Sequence, residues 1–587
     1  MQSLQAAVSE VTKNPQGRFF MKYARRLYIV CLNKGTGRGE EEAFQWKLEP
    51  WAANLRTDRE PATRNSFLEY WLTNCNPCPG LNVLVNNSGS LYRDRSWTPV
   101  ESLIARLDHL EQLDFITNNE FTSDLEQVIS HHHPNCRVNI TWRQAVGYSV
   151  LDTEARKQLC RHKIWSNYEF DINVLQLPGL HTLAVNLIYS ESRSAGREDL
   201  DEMLPFLVTA PGLKHLDLQG QIDNPGFPLA RLREKWQDLI DARPPTQISQ
   251  LESITISGIG PDENILFKLA AVGNLSNLRS LALGRVRDPV NLIKVAGLLP
   301  NLERLFINPN PTGRRWMYLK SDHDDSIAAI RAFRPLKYLC LHSLRSVENL
   351  HRIVEQHGPS LKGLIVEPSG LAQSQYPRLD VSDIVQLATY CPNLKELRLQ
   401  IKRSIASQAE CELYKALREF SNLHSLVLDL HFDARLEPAR RHLDTEDLTV
   451  LRKTFINAAT DEKLALAIWN MIKTDKFSRL EYLRVVPFGN GTFSREESYL
   501  LDNFARSFLV TRYNLQNPGS PSVEEIGKRA REIQREKRES VVNSDEDEEF
   551  RLPERLTLLL HDIWPQVPEG SDWSSCWTSL PLEADTT

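Results

Sequence analysis

Apolar residues recur along the chain in one short pattern: an apolar residue, two variable residues, a second apolar residue, one variable residue and a third apolar residue. Copies open at Leu110, Leu180, Leu213, Leu251, Leu278, Leu302, Leu336, Leu361, Leu394, Leu423 and Leu480, and CPNLKELRL over 391–399 is the clearest of them. Alternate positions that stay apolar are the mark of a strand with one face buried. Leu27 and Leu81 open two looser copies, and Cys136, Val138 and Ile140 alternate in the same way inside the long interval after Leu110. Spacings of 27 (Leu251 to Leu278), 24 (Leu278 to Leu302), 25 (Leu336 to Leu361) and 29 (Leu394 to Leu423) leave room for one strand and one returning helix per copy.

The intervals between copies carry helix punctuation. Asp288 and Pro289 read as an N-cap and first helical residue, with Leu292, Val295, Ala296 and Leu299 on one face and Pro300 as the stop. Thr98 to Glu101 and Ser123 to Glu126 are capping boxes ahead of Leu103, Ile104 and Leu107 and of Leu125, Val128 and Ile129. A further helix is expected from Asp262 to Gly273, with Ile265, Leu266 and Leu269 on one face. Strand and helix periods therefore alternate, and the strand pattern is the leucine-rich-repeat signature. The expected fold is α/β: a solenoid over 19–515 of thirteen or fourteen irregular units, with a curved parallel sheet of short strands on the concave side and helices on the convex side.

The remaining segments differ. Residues 1–18 are polar, and a first strand is expected from Phe19 to Val30. Residues 516–550 carry the basic run KRAREIQREKRES (528–540) and the acidic run SDEDEEF (544–550). They are expected to form a charged, disordered linker, in which Ser544 would suit an acid-directed kinase and the basic run reads as a solvated helix face or an import signal. After it, RLTLLLHDIW (555–564) has strand-like apolar density, and with the tryptophans of SDWSSCWTSLPL it is expected to return as a C-terminal strand and cap over 551–587.

A net charge of −6 gives no global attraction to nucleic acid or to an anionic membrane. No stretch reads as a signal peptide or a membrane span, so the sequons at Asn86, Asn139, Asn274 and Asn490 are taken as chance matches. Nine cysteines fit a reducing compartment, cytoplasmic or nuclear.

Candidate chemistry is thin. Cys75 and Cys78 are half a zinc site with no second pair nearby, and Cys78 stands where Cys391 stands relative to its strand, as a small buried residue. His131, His132 and His133, with Cys136 and the more distant Cys160 and His162, form a second metal candidate. Consecutive helical side chains diverge, however, and histidines suit a helix C-terminus. Residues 321–326 lack the spacing of a calcium loop and read as a helix start before Ile327 and Ile330. Gly35, Gly37 and Gly39 miss both nucleotide fingerprints. The expectation is a chain with no enzymatic activity, no cofactor and no metal.

Alternation does map one face of the sheet. The third, fifth and seventh residues of each copy point away from the core, toward the concave side. Arg304, Phe306, Tyr338, His342, Glu367, Glu396, Arg398, Asp429, Tyr482 and Arg484 are therefore the candidate partner-binding residues, aromatics and arginines being the types that dominate protein interfaces. The alternative is that they pack laterally on one another or beneath the insertion carrying Arg314, Arg315, Trp316 and Tyr318.

Irregular copies of the CPNLKELRL kind, the helix TFINAATDEKLALAIWNMI (454–472), the strand RLEYLRVVP (479–487) and a tryptophan-rich tail after an acidic linker together resemble the repeat region of fungal F-box and leucine-rich-repeat proteins. The likeness runs from about Phe19 onward. It implies protein-substrate recognition by the repeats, with the adaptor and cullin of an SCF-type ubiquitin ligase as partners if an F-box stands upstream. Residues 1–18 hold no leucine-proline pair followed by a helical apolar run, so no adaptor-docking residue is carried over. A stand-alone repeat scaffold or regulatory protein, with no ligase role, is the other reading.

Overall fold

The structure is a computed structural model. It describes residues 26–33, 80–87, 98–117, 123–142, 177–190, 210–223, 250–257, 266–309, 324–367, 377–433, 448–473, 479–489, 493–512, 520–528, 552–565 and 577–582, a few single positions and short breaks within these ranges aside. The chain divides into two compact units, Met1–Trp51 with Leu68–Leu302 and Ala52–Phe67 with Glu303–Thr587. Each is α/β around a mostly parallel sheet.

In the first unit the strands are β1 (Arg26–Asn33), β2 (Gly80–Asn87), β3 (Gln112–Thr117), β4 (Arg137–Trp142), β5 (Leu180–Ser190), β6 (His215–Asp223), β7 (Ser253–Ser257) and β8 (Ser280–Leu283). Helices α1 (Thr98–Ile104) and α2 (Ser123–His132) lie before β3 and β4, and α3 (Pro289–Leu298) follows β8. From β3 to β8 the strands stand side by side in chain order and parallel, as copies joined by crossovers must. The first leucine of each copy, Leu110, Leu180, Leu213, Leu251 and Leu278, is buried.

Two details depart from expectation. The order at one edge is β3, β1, β2, so the chain runs outward from β1 to β2 before returning. Leu81 pairs with Leu27 and Leu27 with Leu113, which places both at the fourth position of the pattern rather than the first. The predicted cap at Asp288 is present, its carboxylate accepting from Asn291 N at 3.1 Å with Pro289 in the first turn.

The second unit continues the motif: β9 (Arg304–Ile307), α4 (Asp324–Arg331), β10 (Tyr338–His342), α5 (Val347–His357), β11 (Gly363–Glu367), α6 (Val381–Tyr390), β12 (Glu396–Lys402), α7 (Gln408–Ala416) and β13 (Ser425–His431). Next come α8 (Leu448–Ala458), α9 (Glu462–Ile472), β14 (Tyr482–Phe488), α10 (Arg495–Phe504), β15 (Ser507–Thr511), β16 (Ser522–Ile526) and α11 (Glu554–Ile563). β9 to β14 are parallel neighbours in chain order, and α4 to α7 pack pairwise on one side of them. Caps start these helices where the sequence supplies an oxygen: Ser346, Asp380, Ser407, Asp461 and Ser494 each accept from a backbone N–H three residues on. Asparagines just before the first leucine tie adjacent turns: Asn393 Nδ2 donates to Pro359 O at 2.9 Å and Asn422 Nδ2 to Pro392 O at 2.8 Å.

Three expectations change here. The apolar run 454–472 is two helices, because Asp461 caps a new helix by accepting from Leu464 N, and Thr460 N donates to Phe504 O instead of continuing the first. The tail segment 554–563 is a helix and not a strand: Leu556, Leu559 and Leu560 fall on one face at helical spacing and are buried. Residues 522–526, within the expected linker, form β16, antiparallel to β15, which is itself antiparallel to β14.

The tail packs into an apolar cluster with Phe432, Phe455, Leu500 and Phe504, to which it adds Leu556, Leu560, Trp564 and Trp577. Trp564 Nε1 donates to Thr578 O at 2.8 Å, and Ser579 bonds Asp461 through its N–H (3.0 Å) and hydroxyl (2.6 Å). Arg506 lies over the Trp577 ring, 4.7 Å from its centroid.

Candidate functional site

Register turns the alternating positions of the second unit into rows across the strands. The third-position row runs Arg304, Tyr338, Gly363, Glu396, Ser425 and Tyr482. The fifth-position row runs Phe306, Cys340, Ile365, Arg398, Val427 and Arg484, and in the seventh His342 pairs Glu367 and Gln400 pairs Asp429.

These rows interact laterally. Arg398 sits at the centre, donating to both Asp429 oxygens from Nε (2.8 Å) and Nη2 (3.0 Å) and to Glu367 Oε1 from Nη1 (3.0 Å). The planar guanidinium thereby bridges two strands, a geometry a lysine cannot supply. His342 Nδ1 is 3.4 Å from Glu367 Oε2, and its ring stacks on Phe306 with centroids 6.5 Å apart. Complete burial raises the Asp429 carboxyl above its ordinary range, against the pull of Arg398 and, more weakly, of Arg484. Phe306, Asp429 and Arg484 are thus buried, where alternation alone turns them toward solvent. Partners on neighbouring strands account for this, the lateral packing that sequence left open.

The third-position row is more open. Arg304, Tyr338, Glu396 and Tyr482 are all half-buried. Arg304 lies 5.7 Å from the centroid of the Tyr338 ring, and that ring leans across Gly363, where a Cβ would come within 2.7 Å of Tyr338 Cδ1. Glycine at 363 is what lets the tyrosine lie flat on the sheet. Burial pushes the Glu396 carboxyl up to about 7, moderated by the charges of Lys395 and Arg304. Burial also raises the Tyr338 phenol, with Glu396 as the next contribution.

The metal candidates resolve differently. His131 and His132 end α2 and are exposed, whereas His133 is buried with Nε2 2.9 Å from Ile104 O. The Cys136 thiol is pushed up to about 12 by burial, and the Cys391 thiol likewise, so both behave as buried packing groups. Asp324 and Asp325 open α4 above buried Ile327 and Ile330. Among the described residues no group of three His, Cys, Asp or Glu side chains is placed to hold a metal ion, and no helix is long and apolar enough to cross a membrane. Cys75, Cys78, Cys160, His162, Gly35 to Gly39, Asp262, Ile265, Gly273, Asn490, Ser544, most of the basic run and the insertion carrying Arg314, Arg315, Trp316 and Tyr318 lie outside the described residues.

One polar cluster had no signal in the sequence. Behind β12, Glu410 Oε2 accepts from Ser404 N (2.7 Å) and Ala406 N (3.2 Å), and its Oε1 accepts from Tyr414 OH (2.9 Å) and lies 3.1 Å from Arg403 Nε. Arg403, Glu410 and Tyr414 are all buried. Ile405 and Ala406 have φ of 58° and 55°, so two successive left-handed residues turn the backbone N–H groups around the carboxylate. Asn457 braces the turn by accepting from Ile405 N at 2.8 Å. Only the Glu410 cap position was readable locally; the convergence of Arg403 and Asn457 depends on the fold.

Compared with known proteins, the chain matches no family model and no curated protein sequence.

Proposed function

We propose that the chain is a leucine-rich-repeat solenoid acting as a non-enzymatic protein-recognition module, similar to the substrate-binding region of an F-box protein. The observation that carries this reading is the third-position row: half-buried Arg304, Tyr338, Glu396 and Tyr482 standing in register on the strand side opposite the helices. Rigid aromatics and an arginine on a preformed sheet bind a partner at little ordering cost. The Arg398 network beside this row on the same face ties β11, β12 and β13 together.

The test is affinity purification from native cells with mass spectrometry, comparing the wild-type chain with Tyr338→Ala/Tyr482→Ala and with Val385→Ser, which alters an exposed residue of α6. A partner retained by Val385→Ser and lost with the tyrosines supports the reading; partners indifferent to the tyrosines sink it. Recovery of the adaptor and cullin would add the ligase role, and their absence would leave a stand-alone scaffold.

A further inference from the structure

Glu396 is the anomaly of the third-position row. Among the described residues no hydrogen bond or ion pair reaches its carboxylate, although it is half-buried. Its row neighbours are Gly363 on β11, across which the Tyr338 ring leans toward it, and Ser425 on β13. Tyr338 and Tyr482 lie two strands away on either side, roughly 10 Å by the spacing of strands. The charged groups around it are committed elsewhere or set apart. Arg304 lies against the Tyr338 ring, Glu367 and Asp429 are bonded to Arg398, and Lys395 is exposed just before β12; Lys395 and Arg304 act on Glu396 through their charge without bonding it.

An enclosed carboxylate with no donor is costly to ionise, and a docking cation removes that cost. Tyr338 already holds a guanidinium, that of Arg304, 5.7 Å from its ring centroid, so the row suits cationic groups. We infer that Glu396, between Tyr338 and Tyr482, receives a lysine or arginine side chain of the protein partner. This rests on the reading of the face as a recognition surface and names the chemistry it selects.

The probe is a library of random displayed peptides selected on the full chain. Peptides whose capture is lost with Tyr338→Ala should carry a lysine or arginine at one fixed position. Replacing that residue by norleucine should weaken binding to the wild type by about tenfold or more, while binding to Glu396→Gln changes by less than about twofold. The wild-type affinity should fall between about pH 8 and about pH 6, as Glu396 takes up its proton, and that of Glu396→Gln should stay level. Tyr338-dependent peptides that need no basic residue, or a norleucine penalty equal in both proteins, would overturn the inference and leave the recognition reading standing. Absence of any Tyr338-dependent peptide would overturn both.

Discussion

Two glutamates fourteen residues apart, Glu396 at the start of β12 and Glu410 in the helix that follows it, show opposite solutions to burying a carboxylate. Glu410 is fully enclosed; its two oxygens accept from two backbone N–H groups and a phenol, and Arg403 stands 3.1 Å away as its ion-pair partner. Glu396 is half-enclosed and has none of these. The first arrangement satisfies the carboxylate from within the chain, and a turn with two left-handed residues is shaped to achieve it. The second has no such donors, and burial raises its carboxyl instead.

The contrast can be broken most severely at Glu410. Glu410→Ala removes the acceptor for Ser404, Ala406 and Tyr414 and leaves Arg403 charged and buried, so chemical denaturation should show a loss of about 3–5 kcal/mol. Arg398→Leu is the intermediate case. It strands Asp429 and Glu367 on the same face, and a loss of about 2–3 kcal/mol is expected near neutral pH. That loss should shrink as pH falls, because Asp429 becomes neutral, and denaturation midpoints over a pH series measure it.

Glu396→Gln has the smallest effect and the opposite sign. The carboxyl ionises near its ordinary value of 4.5 in the unfolded chain and near about 7 in the folded one. The folded state therefore holds the proton more tightly, and stability is lost as pH rises between those values. The glutamine variant escapes that loss. Its thermal midpoint should exceed the wild type's at about pH 8 and equal it at about pH 4. A variant less stable than wild type at both would mean that Glu396 has a structural partner.

The strands were legible because burial is imposed locally. Leu394, Leu397 and Leu399 must face the core whatever else the chain does, and so must their counterparts in the other copies. Caps such as Asp288 were legible for the same reason, since the donor lies three residues from the acceptor. The break at Asp461 was readable in principle, as a threonine-aspartate pair ahead of an acidic residue, but the apolar content on both sides hid it. The helix at 554–563 was hidden by the density of its leucines, which satisfies a period of two nearly as well as one of 3.6. Arg403 meets Glu410 across a turn and Asn457 from a distant helix, and Trp577 meets Phe504 across seventy residues of chain. No local pattern encodes such meetings. The candidate face was legible as a set of positions, but which members bond to one another came only from register.

The reversal at β15 marks where the run of parallel copies stops. Parallel copies can be gained or lost in the interior, because each presents the next with the same edge it received. β16 stands last in the strand order, runs antiparallel to β15 and so in the same direction as β9 to β14, spans only Ser522–Ile526, and carries Glu524 and Glu525 in a row. A new copy, or the sheet of another molecule, would meet a short acidic edge there. Gain or loss of a copy is therefore easiest in the array ahead of β15, where every neighbour is parallel.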